Sequence, residues 1–259
     1  MEEGRVLVEH RDGVTTLCLS NPARRNAISS TMWQQLIQLA SQIPSDGQTR
    51  AVVIRGAGGR SFSAGADISG FATARSDDAN ARTYDDLVEA ACRAIEAVTV
   101  PTVAVVAGHC IGAGNSVAAS CDLIVATDDA VFAVPAARLG LGYDPRGVER
   151  FVRVFGVPLT RELLYLAQRV PARRLYDLGC ISRLSGRQEL EATVGEVVGQ
   201  LVGNAPLTLK AAKLAIRATA DASLADQALQ AALAADASLD YQEGRAAFLE
   251  KRAPHFVGR

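Results

Sequence analysis

Apolar residues fall along this chain in two rhythms. Val6 to His10 and Val14 to Leu19 are β-rich runs on either side of Arg11-Asp12-Gly13, and Asp-Gly between such runs predicts a β-hairpin. Asn21-Pro22 breaks the second run. From Ser29 or Ser30, either of which suits a helix N-cap, the spacing turns helical. Met32, Leu36, Leu39 and Ile43 share one face, and Pro44 ends the helix. Three short apolar runs follow, Ala51 to Ile54, Thr102 to Val106 and Leu123 to Ala126. They are dense in β-branched residues and do not alternate with polar ones, which predicts strands covered on both faces. Helical stretches at Arg82 to Val98 and Gly114 to Ser120 lie between them. Strand–helix–strand order predicts an α/β fold with a mostly parallel sheet and crossover helices.

Beyond Gly147 the pattern is almost entirely helical. Pro158 to Ala167 and Pro171 to Leu178 each carry a proline suited to a first helical turn. Ile181 to Leu184 reads as a short edge strand. Arg187 to Gly203, Leu207 to Thr219 and Leu224 to Tyr241 read as amphipathic helices, the last rich in alanine and leucine. It packs either on its own chain or on another subunit. The expected organisation is a core over residues 1–200 and a helical C-terminal region over 201–259.

Composition narrows the function. The 27 basic and 28 acidic residues of the 259 leave a formal net charge of −1, with no long block of one sign. Nucleic acid and membrane surfaces are therefore not expected partners. The five cysteines are odd in number and show no C-x-x-C spacing, so they read as small buried hydrophobes in a reducing compartment. No basic start followed by an apolar core marks a signal peptide, and no stretch is apolar for long enough to span a bilayer. A soluble, cytoplasmic protein is expected.

Two loops of small residues follow predicted strands. The first runs Arg60-Ser61-Phe62-Ser63-Ala64-Gly65-Ala66-Asp67-Ile68; the second runs Gly108-His109-Cys110-Ile111-Gly112-Ala113-Gly114 and opens a helix. Small side chains let a ligand approach backbone closely, and first-turn N–H groups have no helical partner. Together, the loops suit an oxyanion hole. The second lacks both the Lys-Ser/Thr of a phosphate loop and the spacing of a dinucleotide site. His10, His109 and His255 form no cluster with metal-ligand spacing, and His109 with Ser116 and Asp122 makes no triad.

With these segments in view, the chain resembles the crotonase, or enoyl-CoA hydratase/isomerase, superfamily. The resemblance rests on Asn21 to Ala27, Phe62 to Asp67, Gly108 to Gly114, Ala119 to Leu123, Arg138 to Leu141 and Glu243 to Arg252, in that order over nearly the whole length. It implies a spiral core of ββα turns, and a helical C-terminal region that builds homotrimers, often paired into hexamers. It also implies an acyl-CoA thioester as substrate, with coenzyme A as part of that substrate and no separate cofactor. By the same resemblance, the N–H groups of Ala66 and Ala113 hold the thioester oxygen. Arg24 and Arg25 match positions that meet CoA phosphates, though a solvated loop pair is an equal reading. Ala64, Asp67 and Ile68 match the adenine-lining segment, and Asp67 equally suits a helix cap. Ile111, Ser116 and Pro135 join the substrate-lining set. Phe248 and Lys251 match a segment that reaches CoA, sometimes from a neighbouring subunit; Phe248 also reads as core.

The hydratases of this superfamily use two glutamates to activate water. The matching positions hold Ser116 and Ala136. Alanine transfers no proton, and an unassisted serine is a poor base because its pKa lies far from neutrality. Attention passes to Tyr143 and Asp144, which match a catalytic tyrosine of decarboxylases and a catalytic aspartate of dienoyl-CoA isomerases and dehalogenases. Desolvation beside an acyl chain is expected to raise the pKa of Asp144. The competing readings are a turn residue before Pro145 for Asp144, a pocket wall for Tyr143 and a helix start for Arg146. Three functions follow: an enzyme acting through an enolate (hydratase-like, isomerase or decarboxylase), a non-catalytic acyl-CoA-binding protein, and a nucleotide binder unrelated to CoA.

Overall fold

The computed structural model describes residues 4–43, 48–67 and 78–259. The hairpin forms as expected: β1 (Arg5–Arg11) pairs antiparallel with β2 (Val14–Ser20). Asp12 and Gly13 both take positive φ, 50° and 77°, the geometry that matches a two-residue turn to strand twist. Ser29 caps α1 (Ser30–Gln42), its hydroxyl accepting from the Met32 N–H at 3.3 Å. The buried face of α1 is Met32, Trp33, Leu36 and Ala40, with Leu39 and Ile43 at its half-buried margin. Pro44 lies outside the described residues.

The three apolar runs become β3 (Ala51–Gly56), β5 (Thr102–Val106) and β7 (Leu123–Thr127), parallel neighbours in a six-stranded sheet of order β1-β2-β3-β5-β7-β10. Their lack of alternation has the expected cause, two apolar faces. Val53, Val103, Val105 and Val125 meet Leu190, Val194 and Val197 of α6 (Leu190–Gly203). Val52, Ile54, Ala104, Ile124 and Ala126 turn the other way, into the main core around Trp33, Phe62, Phe132 and Phe151. The edge strand β10 (Arg183–Ser185) starts two residues later than its expected position.

After each of these three strands the chain makes a second, shorter one: β4 (Ser61–Ser63), β6 (His109–Ile111) and β8 (Val131–Ala133). With β9 (Val170–Pro171) they form a separate four-stranded sheet, order β4-β6-β8-β9. Helices α2 (Asp78–Ala97) and α3 (Ala113–Ala119) close the first two strand pairs, so the core is a spiral of ββα turns.

The later helices depart from the sequence pattern in two places. The helix expected from Pro158 is the end of a longer one, α4 (Pro145–Arg161). Gly156 kinks it (φ 72°, ψ 161°), and Pro158 opens the second segment, where a missing N–H costs little. A π-turn at Glu162–Leu166 and a left-handed Ala167 finish it. The helix expected over Leu224 to Tyr241 is two. α8 (Ala225–Asp236) stops, and Ser238 caps α9 (Leu239–Glu250), accepting from the Tyr241 N–H at 3.1 Å. Between β9 and these lie α5 (Ala172–Asp177) and α7 (Pro206–Ala218), and α7 packs against α8. Among the described residues no helix is long and apolar enough to cross a membrane.

Candidate active site

The first small-residue loop is the continuation of β4. Phe62 is fully buried and anchors it, and the Gly65 N–H donates to Ser63 Oγ at 3.1 Å. Gly65 takes φ +109°, where only glycine is unstrained, and a Cβ on it would press to 3.2 Å on the Ile111 carbonyl oxygen. Beyond it the chain pairs with Ile28: the Ile28 N–H donates to Gly65 O at 2.8 Å, and the Asp67 N–H donates to Ile28 O at 2.9 Å. Strand alternation then turns the peptide groups of Ala66 away from Ile28. The Ala66 N–H has no partner among the described residues.

The second loop leaves β6 through Gly112 (φ 50°, ψ −114°), whose N–H donates to Ala133 O at 2.8 Å. Asn115, fully buried, donates both amide protons, to Cys110 O at 2.8 Å and Ala133 O at 2.9 Å. This amide therefore clasps β6 to β8 directly beneath the loop. Ala113 is the first residue of α3, and its N–H also lacks a partner among the described residues. The two loops touch. A Cβ on Gly112 would lie 3.8 Å from the Gly65 Cα, and one on Gly65 would lie 4.0 Å from the Ala113 nitrogen.

Both alanines face one cavity of about 160 Å³. Ala64, Ile111, Ser116, Pro135, Tyr143 and Asp144 line it as well, so eight of the fourteen expected site residues meet here. Ala136 is also on its wall. Ser116 Oγ and Tyr143 Oη are 3.0 Å apart, and the Tyr143 ring packs on Phe151 with centroids 5.4 Å apart. Burial pushes the Tyr143 hydroxyl well above its usual pKa, so it stays protonated.

Asp144 behaves opposite to the expectation drawn from desolvation. Hydrogen bonds from Arg146 hold its carboxyl below the usual carboxylate range, outweighing the effect of burial. Asp144 is the N-cap of α4. It accepts the Arg146 N–H at 2.8 Å, and its oxygens pair with the Arg146 guanidinium at 2.6 to 3.1 Å. The helix-start reading of Arg146 is thus correct; that residue also pairs with Asp86 at 2.8 Å.

Sequence reading missed the wall supplied by α2. Tyr84, Asp85, Val88 and Glu89 face the cavity from one side of that helix, and Arg150 faces it from α4. Arg150 is 4% exposed, its Nη2 on Glu89 at 2.9 Å and its Nε on Glu96 at 2.8 Å. Glu89, 7% exposed, also accepts from Arg93 at 2.7 Å. A carboxylate beside Val88, Ala91 and Cys92 on the apolar side of a helix is the signal that was present.

Of the described residues expected to meet CoA, Ala64 is on the cavity wall and the others lie outside it. Arg24 forms an ion pair with the largely buried Asp67, and Arg25 is exposed. Phe248 is 84% exposed near the end of α9, which rules out its reading as core, and Lys251 follows in a left-handed C-cap. Ile68, and any helix that Asp67 would cap, lie outside the described residues.

A ββα spiral with an N–H-lined cavity between its small-residue loops defines a class, and comparison with known proteins agrees. The sequence profile described as enoyl-CoA hydratase/isomerase matches residues 9–259, so the chain belongs to that family, the crotonase superfamily. It is 29% identical to a short-chain-enoyl-CoA hydratase of Clostridium acetobutylicum, covering 97% of each chain. It is 30% identical to the 2,3-dehydroadipyl-CoA hydratase of Escherichia coli, covering 98% of this chain and 99% of that one. Among solved structures, an enoyl-CoA hydratase/carnithine racemase from Magnetospirillum magneticum superposes with a TM-score of 0.93 at 27% identity, over 98% of this chain and 96% of that one.

Proposed function

We propose that this protein converts acyl-CoA thioesters by stabilising an enolate or oxyanion at the thioester oxygen with the backbone N–H groups of Ala66 and Ala113. The observation that carries this reading is their pairing: two N–H groups without a partner among the described residues, on two touching loops, on the wall of one cavity. Fixed donors of this kind stabilise charge as it develops, without reorganising at the moment of reaction. Arg24, Arg25 and Asp67 are proposed to meet the CoA nucleotide in a site that includes Ile68. Phe248 and Lys251 are proposed to reach it from a neighbouring subunit of a homotrimer or hexamer in the cytoplasm.

Ser116 and Ala136 on the cavity wall, where two glutamates are implied by family resemblance, argue against water addition by paired carboxylates. In the proposed reaction Tyr143 and Ser116 act as hydrogen-bond donors and Asp144 as an ionised carboxylate beside the acyl group. That set suits isomerisation or decarboxylation, where the enolate itself collapses to product. The test is turnover of enoyl-, dienoyl- and malonyl-type CoA esters by the native protein and by Ala113→Pro, which removes one donor at a first helical position where proline is tolerated. Loss of one such donor costs about 10²–10³ in kcat; the proline Cδ that takes the place of the N–H also crowds the thioester oxygen, so ester binding should weaken as well. Unchanged kcat in a folded Ala113→Pro protein would overturn the assignment. Tight ester binding with no turnover anywhere in the panel would replace it with the acyl-CoA-binding reading.

A further inference from the structure

We infer that the acyl group accepted here is compact and carries a neutral oxygen substituent, which hydrogen-bonds to the Ser116–Tyr143 hydroxyl pair; this rests on the acyl-CoA reading and narrows its substrate class. Two hydroxyls bring two protons, and their mutual contact at 3.0 Å uses one. The other has no acceptor among the described residues, although Ser116 is only 3% exposed. A buried donor left unpaired is costly, and a hydrocarbon chain offers it nothing. An oxygen on the ligand does.

The pair is also held still, which separates recognition from chance contact. The Tyr143 ring is held between Phe151 and the backbone at Gly147, where even an added Cβ would come within 2.9 Å of the ring. Ser116 sits in the interior of α3, buried on all sides but the cavity. A site built to hydrogen-bond a substrate oxygen rejects the analogue that lacks it, because the protein's own polar group is then stranded.

Charge decides which oxygen. Among the described lining residues the acids are Asp85, Glu89 and Asp144 and the base is Arg150. That one guanidinium is already held by Glu89 and Glu96. Arg146, next to the wall, is held by Asp144 and Asp86. A substrate carboxylate would find Arg150 and Arg146 already committed to protein carboxylates, and burying a charge without a partner is strongly unfavourable. A hydroxyl or carbonyl meets no such penalty, and the same argument sets decarboxylation, whose substrate carries a carboxylate, behind isomerisation in the proposed reaction. Volume sets the size: the cavity of about 160 Å³ is close to the roughly 150 Å³ that admits a benzene ring.

Calorimetry on the full chain tests this with butyryl-CoA, 3-hydroxybutyryl-CoA, acetoacetyl-CoA, glutaryl-CoA and decanoyl-CoA. One oxygenated neutral ester is expected to bind about tenfold more tightly than butyryl-CoA, the scale of one well-made hydrogen bond. Glutaryl-CoA and decanoyl-CoA are expected to bind more weakly than butyryl-CoA. The double variant Tyr143→Phe, Ser116→Ala removes both protons and should bring the affinities for the oxygenated esters and butyryl-CoA together, whereas either single variant keeps one hydroxyl proton for the ligand and should keep part of the preference. A double variant that is folded by circular dichroism and still prefers the oxygenated ester overturns the assignment to this pair. Equal affinity for butyryl-CoA and both oxygenated esters overturns the inference and leaves the acyl-CoA reading intact. Tightest binding of glutaryl-CoA overturns the charge argument, and tightest binding of decanoyl-CoA the size argument. Failure of every ester to bind overturns the acyl-CoA reading itself.

Discussion

Asp144 is where a single residue's surroundings reverse what its position alone suggests. It lies on a cavity wall, where desolvation favours the neutral acid, yet Arg146 holds it ionised. A group whose folded pKa is lowered contributes stability above its unfolded pKa and loses it as pH falls through the folded value. Asp144→Asn keeps an N-cap of equal quality and removes only the charge. The melting temperatures of Asp144→Asn and the native protein should therefore differ above about pH 4 and converge toward pH 2. The difference should stay under about 1 kcal/mol, since Arg146 is partly exposed. No inflection of kcat from Asp144 is expected between pH 5 and 8; an inflection there that Asp144→Asn abolishes would refute the ionised assignment. Asn115 makes the complementary case. Its amide satisfies two carbonyl oxygens beneath the donor loop. Asn115→Ala strands them at a cost of about 1–3 kcal/mol, read by chemical denaturation. Asn115→Asp, which aims a carboxylate at the same two oxygens, should cost more.

At the scale of elements, what was legible is what repeats over enough residues to show a period. The hairpin announced itself through Asp12-Gly13 between two β-rich runs, and β3, β5 and β7 through apolar runs buried on both faces. The second sheet carried no comparable signal. β4, β6 and β8 are three residues each, too short to express a two-residue alternation; the first two fall within segments that read as loops, and Val131–Ala133 carried no reading. Only the family resemblance implied them. The kinked helix α4 was half hidden for a related reason: Gly156 and Pro158 look like a boundary, and Asp144 drew attention as a catalytic candidate or a turn residue rather than as a cap. That helix supplies Arg150, which ties α4 to α2 through Glu89 and Glu96 across the cavity wall. Removing one member of a buried ion pair leaves uncompensated charge, so Arg150→Met should destabilise by about 3–5 kcal/mol. Adding Glu89→Gln should restore part of that loss, because the stranded carboxylate is then gone. A denaturation midpoint unmoved by Arg150→Met would mean that the pair does not hold the two helices.

For the whole molecule, the unexplained feature is how much apolar surface the C-terminal helices leave uncovered. Leu229 and Leu233 stand one turn apart on α8 and are more than half exposed, as are Tyr241, Phe248 and Leu249 on α9. Large apolar side chains left exposed next to one another, as Leu229 and Leu233 are on one helix face and Phe248 and Leu249 in sequence, mark interaction surfaces on soluble proteins. Scattered leucines would need no explanation, but these fall together on the last two helices, α8 and α9. A second and third copy of the chain, closing a ring about a threefold axis, would bury them without leaving an open edge. The expected mass in sedimentation equilibrium is then three times, or six times, the 27.2 kDa chain. Leu233→Glu combined with Phe248→Glu should reduce it to one chain with helix content preserved, since neither side chain is buried in the single chain. Lys251→Ala separates assembly from ligand contact: it should leave the mass unchanged and weaken CoA-ester binding if Lys251 reaches a neighbour's site. A native protein that sediments at 27.2 kDa would sink the trimer, and the C-terminal half of the proposed CoA site would fall with it.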